Sequence, residues 1–273
     1  MGRRAWIGAW VLLAIAAAGL LWWRWQAQGP VVSTQVSAAA PPRIEAPPAV
    51  PAPAPPLHYP IASDAGQPGG SPADVATTLA DLFGRKAAGS VFRSDDFGRR
   101  FAATVDSLGR SSSAAHLWPV NPAPGRFLVR EGADGAIVAP DNSLRYADFV
   151  VALESVDLHQ AAAAYQRFYP MLQAAYEGLG YPGHYFNDRL VAVLDQLLAT
   201  PEPKGPLRVH LPPIDSAARP ARPWLLYQFD DPALESLSSG QKILVRMGAV
   251  NERRVKKRLA EFRRLVAGEA GRP

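Results

Sequence analysis

The chain has 273 residues, 27 prolines, no cysteine and a formal net charge of +5. The lack of cysteine excludes disulfide frameworks, thiol nucleophiles and cysteine-ligated zinc or iron–sulfur centres, and a thiol-free chain is indifferent to its redox compartment. Composition is uneven: 11 of the 27 prolines lie between Gln26 and Ser71, and five of the seven tryptophans precede Gln26. The length therefore divides into an anchor (1–25), a tether (26–71) and one folded unit (72–273).

Residues 5–23, opening at Ala5, carry no formal charge and follow Arg3 and Arg4; Arg24 closes the run. At about 1.5 Å per residue they would span about 28 Å, close to the thickness of a hydrocarbon core. Trp6 and Trp10 mark one end and Trp22 and Trp23 the other, the positions that indole rings prefer at a membrane interface. The alternative, a cleaved signal peptide, needs small residues at −3 and −1; Trp25 stands two before Ala27, a poor fit. Arg3 and Arg4 precede the span, and after Arg24 no lysine or arginine occurs until Arg43. The positive-inside rule then places the amino terminus in the cytoplasm and the rest outside. The expected location is a membrane, with the carboxy-terminal domain outside the cytoplasm.

Residues 26–71 hold only Arg43, Glu45 and Asp64 as charges and read as Pro-Ala repeats. Proline lacks an N–H and fixes φ, so neither a helix nor a sheet ladder runs through such a stretch, and a disordered spacer is expected. Folding resumes at Ser71-Pro72-Ala73-Asp74, a serine cap with proline at the first helical position and an acid in the first turn. The pattern predicts a helix to about Phe83 and a second over 94–108, with Phe97, Phe101, Val105 and Leu108 on one face and Gly109 as its stop. Short strands are expected over 126–131 and 136–139, joined by Gly132-Ala133-Asp134-Gly135. Helices fill most of 146–200, with breaks at Pro170 and at Gly180-Tyr181-Pro182-Gly183. Strands over 207–211 and 224–229 precede two last helices, over 239–247 and 252–266, with Gly248 as stop and Asn251 as cap between them. The fold class is a helix-dominated α+β single globular domain.

Chemical motifs are sparse. Asp96-Phe97-Gly98 matches the metal-binding triplet of protein kinases, but the rest of that signature is missing. Glycines 84 and 89 have phosphate-loop spacing, with Ser90 where the lysine must stand. His184 and Asp188, four apart, could join a distant group around zinc if one helix carries both; otherwise Asp188 faces a helix N-terminus. Four carboxylates, Asp188, Asp195, Glu154 and Asp157, raise the alternative of a hydrolase acting on envelope polysaccharide through paired acids. No catalytic residue, cofactor or metal ligand is assigned.

Two features point to partners. Tyr165, Tyr169, Tyr176, Tyr181, His184 and Tyr185 lie in the most aromatic stretch of the chain. They read either as a groove whose rings stack on a ligand or as a packing seam, because Tyr165, Tyr169, Leu172, Tyr176 and Leu179 recur at helical spacing. The last helix carries Arg253, Arg254, Lys256, Lys257, Arg258, Arg263 and Arg264 behind an apolar stripe of Val255, Leu259, Phe262 and Val266. It reads as a solvated basic face or as a contact for an envelope protein or polyanion; outside the cytoplasm, nucleic acid is not the expected partner.

The strings Tyr169-Pro170-Met171-Leu172-Gln173-Ala174-Ala175-Tyr176, Leu179-Gly180-Tyr181-Pro182, Leu197-Leu198-Ala199-Thr200-Pro201, Asp231-Pro232-Ala233-Leu234-Glu235-Ser236-Leu237 and Gln241-Lys242-Ile243-Leu244-Val245-Arg246-Met247-Gly248 resemble a family of bacterial single-pass envelope proteins catalogued as domain of unknown function 3014. The likeness covers residues 75–266. It implies the same layout of anchor, proline-rich linker and carboxy-terminal domain, hence a bacterial inner membrane with that domain periplasmic, and brings no activity, ligand or functional residue with it. The expected function is a non-catalytic, membrane-anchored binding or scaffolding domain of the cell envelope.

Overall fold

Ser71 starts the first helix as its local chemistry requires. Its side chain accepts from the Asp74 amide while the Asp74 carboxylate accepts from Ser71 N at 2.8 Å, a closed capping box that holds the Asp74 pKa below the usual carboxylate value. The computed structural model describes residues 55–61, 70–112, 117–132, 135–213 and 222–268. Residues 5–23, with Ala5, Trp6, Trp10, Trp22 and Trp23, and the tether up to residue 54 lie outside them. Among the described residues no helix is long and apolar enough to cross a membrane.

The helices are α1 (Pro72–Phe83), α2 (Arg85–Val91), α3 (Phe97–Leu108), α4 (Ala147–Ser155), α5 (Leu158–Gly178), α6 (Phe186–Leu198), α7 (Pro232–Glu235), α8 (Ser239–Arg246) and α9 (Ala249–Ala267). Four short strands, β1 (Val129–Gly132), β2 (Gly135–Val138), β3 (Arg208–His210) and β4 (Gln228–Phe229), form one antiparallel sheet in that order. The fold is helix-dominated α+β.

Several local expectations need correction. The strand expected over 224–229 is reduced to Gln228–Phe229, because Pro223–Leu225 forms a turn of 3-10 helix. Pro170 does not break its helix: α5 runs through it to Gly178. Proline removes only the bond to the carbonyl of residue 166, and Gln166 lies on the exposed side, where water can take that role. The break falls earlier, at Asp157, whose carboxylate caps α5 by accepting from the His159 and Gln160 amides. Helix α3 starts at Phe97 rather than residue 94, because Asp96 adopts a left-handed backbone with φ of 50°. Asn251 is not a cap. It sits inside α9, and its amide donates to Ser143 O at 2.9 Å, while Gly248, with φ of 82°, makes the turn.

Helix α6 is the axis of the core. Phe186, Leu190, Val191, Val193, Leu194 and Leu197 are all buried, so apolar side chains point in more than one direction. Helices α3, α5, α8 and α9 pack around it. A smaller core lies under the sheet, where Val209 and Phe229 meet Val245 of α8. There the Arg246 guanidinium sits over the rings of Phe127 and Phe229, at 5.9 and 5.0 Å, and burial lowers its pKa.

Close approach of α8 to its neighbours requires Gly240. A Cβ there would stand 2.6 Å from Leu197 Cδ2 and 3.0 Å from the Leu108 carbonyl oxygen. Gly240→Ala is expected to lower stability by about 1–3 kcal/mol through overpacking, with an unchanged circular-dichroism spectrum; chemical denaturation measures it.

Candidate functional site

The tyrosines divide between core and turn. Tyr165 and Tyr176 are 6% and 5% exposed, on either side of the fully buried Phe186, with ring centroids 6.5 and 5.5 Å from it. Burial raises the pKa values of Tyr165, Tyr169 and Tyr176. Tyr169 and Tyr181 are half-buried: Tyr169 donates to Gln173 Oε1 at 3.1 Å, and Tyr181 stacks on Tyr176 at 4.6 Å. Tyr185 is half-buried and His184 exposed. The helical spacing is thus a packing seam, and the six residues do not form one open surface. Gln173 holds the turn in place, donating to His184 O and accepting from Phe186 N, at 2.7 and 2.8 Å.

The turn is tied to α3 by Asp106, a buried acid that sequence reading did not single out. Its carboxylate accepts from Tyr181 at 3.2 Å and from Arg189 Nε at 3.1 Å, and pairs with Arg110 at 2.8 Å. Arg110 also donates to the Tyr181 hydroxyl. A lone acid on an amphipathic helix gives no local sign of two arginine partners.

The second omission is the seat of the tether's end. Residues 55–61, assigned by composition to the disordered spacer, lie against the domain as a strap. Asp188 accepts from two successive backbone amides, His58 N at 3.0 Å and Tyr59 N at 2.8 Å. Asn187, 0% exposed, donates through Nδ2 to Tyr59 O at 2.9 Å and to Val266 O at 3.0 Å, and its Oδ1 accepts from the Tyr165 hydroxyl at 3.0 Å. Tyr59 and Ile61 pack on the main core, whereas Leu57, His58 and Pro60 stay exposed. Three main-chain hydrogen bonds at about 1 kcal/mol each, with a contact between the Arg263 guanidinium and the Tyr59 side chain, make this a modest attachment, of the kind that opens locally without global unfolding. A signal was present: Leu57, His58, Tyr59 and Ile61 interrupt the Ala/Pro repeat.

Asp188 is therefore a backbone clamp. His184 precedes the first residue of α6, so its spacing from Asp188 is not a helical one. Among the described residues no group of three or more metal-ligating side chains is gathered. The other acids weighed for hydrolysis also have structural partners: Asp195 pairs with Arg263, Glu154 with Arg254, and Asp157 caps α5.

The basic helix, α9, is largely neutralised by the domain itself. Arg253 meets Glu202 at 3.1 Å, and Arg254 takes Glu154 in a two-pronged contact with Nε at 2.8 Å. That contact holds the Glu154 pKa below its ordinary value. Lys256 reaches Glu252 at 2.9 Å and the Thr200 carbonyl. Arg258 donates to the Leu153 and Val156 carbonyls at the end of α4, where a cation meets the negative end of the helix dipole. Arg263 pairs with Asp195. Lys257 and Arg264 are exposed and have no ion pair among the described residues.

Glu252 is the unusual member. It is 1% exposed, and neither carboxylate oxygen receives a directed hydrogen bond; Lys256 Nζ lies close to Oε1 but out of line. Burial raises its pKa above 4.5. The folded state therefore holds this proton more tightly than the unfolded chain. Glu252 contributes stability below the ordinary glutamate range, lost as pH rises through the raised value.

Two grooves remain. One, of about 350 Å³, runs between α1, α3 and α5 and is lined by Val75, Phe97, Met171 and Ala175, with Asp96 at its edge. The other, of about 280 Å³, lies on the outer face of the sheet, where Arg130, Ile137 and Arg208 form one row across β1, β2 and β3.

Asp188→Ala is expected to cost about 1–2 kcal/mol. It should speed hydrogen exchange at the His58 and Tyr59 amides at least about tenfold, leaving the Leu190 and Val191 amides unchanged. Glu252→Gln is expected to raise stability at pH 7 by on the order of 1 kcal/mol, since it removes an under-bonded buried charge while Lys256 keeps the Thr200 carbonyl. Thermal melts from pH 4 to 8 should show the native chain losing this increment as pH rises and the variant not.

Residues 97–263 match the family described as protein of unknown function (DUF3014). No curated protein and no solved structure matches the chain. The match takes in the turn tied by Asp106, the Asn187–Asp188 clamp and nearly all of the stapled basic helix, and by it the chain belongs to the DUF3014 family.

Proposed function

We propose that the protein is a non-catalytic binding or scaffolding domain of the cell envelope, anchored in a bacterial inner membrane by residues 5–23 and displayed on the periplasmic side. The observation that carries this reading is the strap. A passive spacer would enter its domain through a loose joint, whereas here the clamp at Asn187 and Asp188 grips residues 58 and 59, within the tether, by main-chain hydrogen bonds. Such a junction sets where the domain begins along the tether, which matters for a domain that must hold a partner at a defined distance from a membrane. The free tether then shortens to the residues before 55, and as an extended polyproline II chain those after 25 would reach about 90 Å.

The partner is an envelope protein or polyanion. The cations of α9 without an ion pair among the described residues, Lys257 and Arg264, are the contacts available to it, with Arg253 beside them at 57% side-chain exposure. Nucleic acid is not the partner in that compartment.

A reporter enzyme that works only outside the cytoplasm, fused after Pro273, is expected to be active. An inactive fusion in cells that hold the protein intact would overturn the placement.

A further inference from the structure

We infer that the cleft at the start of α6 is a docking site for extended peptide segments, and that the chain's own strap is its resident occupant, exchangeable for a segment of a partner protein. The inference rests on the reading of the domain as a binding module, and names the class of ligand: an extended stretch with an aromatic residue followed by proline and an aliphatic residue.

The chemistry of the cleft is that of main-chain recognition. Asp188 takes the N–H groups of two successive residues, 58 and 59, and Asn187 gives an N–H to the carbonyl of the second. Any extended dipeptide without proline at those two positions offers the same three groups. Selectivity comes from the side chains at 59 and 61, which pack on the core. Pro60, between them, is exposed and favours the extended backbone.

The empty cleft would not be neutral. With the strap gone, Asn187, 0% exposed, keeps its bonds to Val266 O and Tyr165 but loses the acceptor at residue 59. The uncovered N–H then takes water, and it is ready for whatever next presents a main-chain carbonyl there. The strap itself is thin, with Leu57, His58 and Pro60 in solvent and only Tyr59 and Ile61 packed inward. Its departure is thus a local event, and an incoming segment both fills the cleft and lengthens the free tether.

The test uses a labelled synthetic peptide of residues 55–61 and the purified full chain in which Tyr59→Ala and Ile61→Ala weaken the strap. Saturable binding by fluorescence anisotropy is expected. It should be at least about tenfold weaker to the unmodified chain, because the docked strap taxes the apparent affinity, and lost when Asp188→Ala is added. A peptide with alanine for tyrosine should fail to compete. A cooperative melt certifies that each variant is folded; if the double variant is not, His58→Pro, which removes one N–H and leaves Tyr59 and Ile61 intact, takes its place. Absence of binding to a folded strap-weakened chain overturns the inference, as does binding to the strap-weakened chain that is no tighter than to the native chain or that survives Asp188→Ala. Dimerisation of the native chain that the peptide dissolves also overturns it, assigning the cleft to a second copy. None of these results alters the reporter measurement, so the membrane placement stands or falls separately.

Discussion

A side-chain amide cut off from water must find its hydrogen bonds inside the protein, and Asn187 shows how much structure can depend on that. Its three bonds reach the strap, the middle of α5 and the last turn of α9, segments separated in sequence by 128, 22 and 79 residues. The bond to Val266 O satisfies one of the carbonyls that every helix leaves open at its C-terminus. The bond from Tyr165 satisfies a buried phenol that would otherwise be costly among apolar neighbours. One residue at the start of the central helix therefore sets where the tether ends and where the last helix stops.

The same economy governs charge. Helix α9 looks from its composition like a cationic surface, yet Glu154, Asp195 and Glu202 approach it from α4, α6 and the segment after α6. Arg258 goes further and bonds the carbonyls at the end of α4, so that the charge closes a helix terminus. Such contacts orient one helix on its neighbours more than they stabilise it, since exposed pairs contribute little. What remains outward is a short cationic stretch at Lys257 and Arg264.

Legibility followed distance along the chain. The serine cap at Ser71, the stop at Gly109, the glycine turn at 180–183 and the hairpin between β1 and β2 all act within a few residues, and the sequence shows each of them. Pro170 misled because a helix can lose one bond on its wet side. Asn251 misled because a cap-forming residue serves equally well as a donor to a distant carbonyl. Aromatic density marks the six residues from Tyr165 to Tyr185 as a group, but density and spacing do not say which ring meets which neighbour.

The sequence by itself determined most of the order of helices and strands, the α+β class, the family likeness and the helical spacing of Tyr165 and Tyr176, because propensity, capping and periodicity are interactions between near neighbours. Only the tertiary structure decided that the tether's end is strapped down at Asp188, that Asp106 knots the 181–184 turn to α3, and that most of the basic helix is already neutralised. Each of these joins residues some 50 to 130 positions apart. A hydrogen bond or ion pair across such a separation leaves no periodic trace in one chain; it exists only once the core has brought its two ends within 3 Å or so of each other.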